Sequence, residues 1–93
     1  MTVHHVRVKG RVQGVGFRYF VRERAHALGL SGWVKNRSDG SVELMAGGDE
    51  QAVTQLLDEV RQGPPRSAVE AVEPIATPTT AVELPHPFAV VRE

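Results

Sequence analysis

The chain has 93 residues, 41% of them apolar and 24% charged, and its formal net charge is zero. Such a length supports one hydrophobic core, and the composition is that of a globular chain rather than a disordered one. The lack of cysteine removes disulfide frameworks, Cys-based zinc sites and thiol nucleophiles, and no apolar run approaches the ~20 residues of a membrane-spanning helix. The opening MTVHHVRVKG has no apolar central region of the signal-peptide kind, so a cytoplasmic protein with no membrane partner is expected.

The zero conceals a partition. Residues 1–37 carry eight Lys or Arg against one acid, Glu23, a balance of +7, whereas residues 38–93 carry three Arg against ten acids, a balance of −7. Either the two parts neutralise one another across the fold, or the basic part builds an anion site.

In chain order, Val6, Val8, Gly10 and Val12 share one parity while His5, Arg7, Lys9 and Arg11 share the other, the period of a half-buried strand. A loop, Gln13 to Gly16, follows. Phe17, Phe20, Val21, Ala25 and Leu28 then form the apolar stripe of a helix, and Gly29 suits its left-handed end. SGWVKN is a short strand, the Asp39-Gly40 pair is a hairpin signal, and SVELMA alternates with Val42, Leu44 and Ala46 on one face. Asp49 can cap a second helix, whose Val53, Leu56, Leu57 and Val60 are spaced i, i+3, i+4, i+7 before Gly63-Pro64-Pro65 stops it. AVEAV reads as a strand, Thr77 to Pro87 as a loop, and FAVVR as a last strand at an edge.

That order, β-α-β-β-α-β plus a short C-terminal strand, predicts a ferredoxin-like α+β sandwich over residues 1–93 as a single domain. Two helices pack on one face of a mostly antiparallel sheet and the other face is left wetter.

The stretch KGRVQGVGFR, Lys9 to Arg18, concentrates the chemistry. It lacks the Gly-Lys-Ser/Thr of a Walker loop, and Tyr19 stands where a dinucleotide fingerprint needs glycine. Glycines between a strand and a helix can still bring successive amides onto an oxyanion, and the Arg18 fork can hold two phosphoryl oxygens at once. The residue types alone equally allow a plain glycine turn with Arg18 solvated. Asn36 has a similar duality: its carboxamide suits the turn that follows, yet at a strand end it can orient a water molecule. His4 and His5 point to opposite faces, and His26 and His86 lack spaced partners, so no metal site is expected.

The segments GRVQGVGFR and GWVKNRSDGSVE, with the helix between them and the overall length, resemble the two signatures of the acylphosphatase family. The resemblance runs over roughly residues 5–60. It implies a phosphate-binding loop of Gln13, Gly14, Val15, Gly16, Phe17 and Arg18, with Arg18 and Asn36 as the catalytic pair. The substrate would be a small acyl phosphate and inorganic phosphate a product or inhibitor, with no cofactor, no metal and no nucleic acid, in a monomeric enzyme. Acylphosphatase-like domains also stand at the front of larger hydrogenase maturation proteins; the initial methionine and the end close to the last strand favour a free-standing enzyme. Some members of the family have threonine after the asparagine, where this chain has Arg37, which leaves open what steadies Asn36. A rival on the same fold is an anion- or RNA-binding module, for which Trp33 is the one plausible strand aromatic.

Overall fold

A computed structural model describes residues 2–76 and 83–92. Its elements are β1 (Thr2–Arg11), α1 (Phe17–Ala27), β2 (Ser31–Asn36), β3 (Val42–Gly48), α2 (Glu50–Gln62), β4 (Ala68–Pro74) and β5 (Ala89–Val91). The strands form one sheet in the order β4-β1-β3-β2-β5. Neighbours are antiparallel except the β2–β5 pair, which is parallel. This is the ferredoxin-like architecture that the hydrophobic periods predict.

The core follows from those periods. Val6 and Val8 of β1, Val34 of β2, and Val42, Leu44 and Ala46 of β3 are buried together with Phe17, Val21 and Ala25 of α1 and Val53, Leu56, Leu57 and Val60 of α2. Each large aliphatic or aromatic side chain so buried contributes about 1.5–3 kcal/mol relative to an exposed one. Helix α2 starts where Asp49 accepts hydrogen bonds from the amides of Gln51 and Ala52, and ends where Gly63 turns left-handed at φ 67°. Phe88, 1% exposed, closes the core just before the short edge strand β5.

The open face of the sheet differs from expectation. Alternation puts Glu43 and Met45 of β3 on the side away from the helices, yet they are only 7% and 4% exposed. The reason is topological. In the central strand β3, Met45 has His5 of β1 and Trp33 of β2 opposite it and Glu43 has Arg7 and Lys35, while His5 and Arg37, the residue just past β2, contact the Glu43 carboxylate. Of the predicted loop Thr77 to Pro87, residues 77–82 lie outside the described residues. The remainder runs irregularly beside β2, where the Gly32 amide donates to the Pro85 carbonyl over 2.8 Å.

Candidate active site

The loop between β1 and α1 is built on two left-handed glycines, Gly14 at φ 74° and Gly16 at φ 78°, around Val15, which keeps a negative φ. Alternating signs of φ curl consecutive amides toward a common point. Gly16 is also the N-cap of α1, with no side-chain cap. Among the described residues, the first amide of this region with a backbone partner outside regular structure is that of Phe20, which donates to the Gly16 carbonyl at 3.0 Å. The amides of the first helical turn therefore face outward with the positive end of the helix dipole behind them.

The asparagine arrives from the other side. Asn36 ends β2 opposite Val42 of β3 and shares the face of the fully buried Val34. The turn that follows does not use its side chain. The turn is closed by the Arg37 amide on the Ser41 carbonyl (2.8 Å) and the Gly40 amide on the Arg37 carbonyl (3.2 Å). Asp39 completes it, accepting from the Ser41 amide at 2.9 Å and hydroxyl at 2.5 Å. The hydrogen bonds from the Ser41 hydroxyl and then its amide hold the Asp39 carboxyl below the ordinary carboxylate range. The Asn36 carboxamide is thus free of turn duty, and its Oδ1 is buried without a hydrogen-bond partner.

These parts meet in a cavity of about 210 Å³ lined by Val12, Gly14, Gly16, Phe17, Arg18, Tyr19 and Asn36. Arg18 joins no ion pair among the described residues. A larger hollow of about 370 Å³, lined by Lys9, Gly10, Asp39, Gly40 and Ser41, lies beside the hairpin. It contains neither Arg18 nor Asn36, and its Asp39 is already engaged by Ser41. Of the two, the smaller cavity is the one that brings together the loop glycines, the Arg18 guanidinium and the unpaired Asn36 carboxamide.

Not every loop residue faces that cavity. The Gln13 side chain turns to the hairpin and donates from Nε2 to the carbonyls of Arg37 (2.7 Å) and Ser41 (2.9 Å). It is a strut between the two signature segments, and Val15 packs against the core. Sequence reasoning missed this strut, and it missed Tyr19, which at 47% exposure stands at the cavity's edge. It also missed Glu43, whose Oε2 accepts from His5 Nε2 at 2.5 Å and whose Oε1 pairs with Arg37. Burial pushes the Glu43 carboxyl up, but the hydrogen bonds from His5 and Arg37 outweigh it and leave the group below its ordinary value of 4.5. Glu43 is the one charge inside VELMAGG, and that was the available signal.

The Acylphosphatase family model matches residues 4–89. An acylphosphatase of Bacillus subtilis is 44% identical over 91 residues, covering 98% of each chain. The crystal structure of acylphosphatase from that organism superposes with a TM-score of 0.88 over 98% of this chain and 99% of its own. A crystal structure of T. kodakarensis HypF is 29% identical with a TM-score of 0.82; it covers 99% of this chain, which spans only 12% of that protein. A family model over most of the chain and a relative of matching length lead to one conclusion: this chain belongs to the acylphosphatase family.

Proposed function

We propose that this protein hydrolyses acyl phosphates to a carboxylate and inorganic phosphate, the loop amides and Arg18 binding the phosphoryl group and Asn36 orienting the attacking water. The observation that supports this division of labour is the Asn36 Oδ1, buried and unpaired, in the same cavity as Arg18 and the helix N-terminus. An acceptor in that setting is matched by a water hydrogen.

The chemistry asks little more of the protein. Water forms a bond to phosphorus as the bond from phosphorus to the acyl oxygen breaks, and the carboxylate departs with the electron pair. Its conjugate acid has a pKa near ~4, so the leaving group requires no general acid. A phosphoryl oxygen can take the proton that the water loses. What remains is alignment and stabilisation of charge on the equatorial oxygens, which amides and a guanidinium supply. The reading carries a small-molecule partner and a cytoplasmic, monomeric, single-domain enzyme. An RNA-binding module is not favoured: Phe17 lies in the core at 1% exposure, and Trp33 is packed edgewise by His5 and covered by Lys35 at 5.4 Å.

The test is acetyl phosphate hydrolysis with chelator present and inorganic phosphate as competitor. Arg18→Ala is expected to lose on the order of 10²- to 10³-fold in turnover and to weaken phosphate inhibition, as removal of one oxyanion donor does. Asn36→Ala should depress kcat while leaving phosphate inhibition nearly intact. Parental rates in either variant would remove the role given to that residue.

A further inference from the structure

We propose that Arg37, clamped to Glu43 and through it to His5, is a positioning residue that holds Asn36 on its water. The inference rests on the reading of Asn36 above and explains how that side chain is kept in place.

Adjacent strand residues project to opposite faces. Asn36 therefore looks into the cavity while Arg37 reaches the open face of the sheet. There its guanidinium pairs with Glu43 Oε1, and Glu43 Oε2 accepts from His5 across 2.5 Å. Both side chains of the His5–Glu43 pair are about nine-tenths covered, at 10% and 9% exposure. A charge-assisted pair so sheltered is screened far less than a surface pair, and its geometry is held by three strands or loops at once.

The main chain of Arg37 is equally committed. Its amide donates to the Ser41 carbonyl, and its carbonyl accepts from both Gly40 and the Gln13 side chain. The residue immediately after Asn36 is thereby tied to the glycine loop on one side and to the central strand β3 on the other. The link fixes the pleat at residues 36–37, and so the direction of the Asn36 carboxamide. It also answers how the site works without a threonine after the asparagine: the steadying contact comes from behind the strand, not beside it.

Acetyl phosphate kinetics, phosphate inhibition and thermal melting of Arg37→Ala, Arg37→Lys, Asn36→Ala and the double variant Arg37→Ala with Asn36→Ala test this. Arg37→Ala is expected to lower kcat on the order of 10- to 100-fold, as misplacement of a reacting group does, with phosphate inhibition unchanged. Arg37→Lys should recover part of the loss by restoring a charge opposite Glu43. In the double variant the two losses should not multiply, because Arg37 acts through Asn36. Multiplying losses, or weakened phosphate inhibition in Arg37→Ala, would make Arg37 a general support of the fold and overturn the proposal. A parental kcat in Arg37→Ala would overturn it as well. If Asn36→Ala itself keeps the parental rate, it is the water-orienting reading that fails, whatever Arg37 does.

Discussion

Gly14 and Gly16 do their work through backbone sign alone. A Cβ added at either would meet nothing within 4 Å, while both φ values lie near +75°, at 74° and 78°. A substitution there tests conformation without a clash. For an L-residue the left-handed region costs about 1–2 kcal/mol, so Gly16→Ala should either lose that much stability or let the loop relax and disperse its amides. The expected readout is weaker inhibition by inorganic phosphate with an unaltered fold, measured by kinetics and circular dichroism; unchanged inhibition and stability would refute it. At this scale the residue types of the glycines, Arg18 and Asn36 equally allowed a plain turn, and it was the family resemblance of the two segments that singled them out. Gln13 was only half legible. Its place in the loop could be read, but the partners of its side chain, the carbonyls of Arg37 and Ser41, lie on a segment brought there by folding.

Among the elements, α2 was the most readable because its stripe, cap and stop all agree. None of its residues lines the cavity, so it separates stability from chemistry. Asp49→Ala removes the acceptor for two end amides and should destabilise the protein by about 1 kcal/mol in urea unfolding, the usual effect of losing such a cap. Turnover under native conditions should not change; a parallel fall in kcat would tie α2 to the site. Strand β3 was the least readable element. Its alternation was right, but alternation assigns faces and does not report what covers them. Glu43 and Met45 occupy the open face and are nevertheless buried, flanked by their register partners on β1 and β2.

For the whole molecule, the basic first part and the acidic second part neutralise one another in part across the fold. Lys9 pairs with Glu73, Arg24 with Glu59 and Arg37 with Glu43, each pair joining the two parts, whereas Arg18 is left for the cavity. Glu43 couples this arrangement to pH. It lies between Arg7 and Lys35 in the strand register and contacts His5 and Arg37. Its folded pKa is below its ordinary 4.5, so near and below that pH the unfolded chain binds the proton first. The stabilisation is therefore complete above about pH 4.5 and is lost as pH falls through the folded value. In urea unfolding, Glu43→Gln should be less stable than the parent at pH 7, and the gap should shrink as pH drops below 4.5. Asp39 titrates in the same direction but is present in both proteins and cancels. A gap independent of pH would show that the Glu43 charge carries no stability.

Order and type of the elements and their core faces could be read from the chain, because each depends on neighbours within a few residues and on periods of 2 or 3.6; the pairing of the glycine loop with Asn36 came only from the family resemblance. Contacts between residues far apart in sequence could not be read from the chain. That Gln13 braces the hairpin, that His5 and Arg37 meet on Glu43, and that the Asn36 carboxamide and Arg18 share one cavity of about 210 Å³ depend on the β4-β1-β3-β2-β5 order of the sheet. Hydrophobic patterning says which face of a strand is buried; only the strand order and register say which side chains lie beside it.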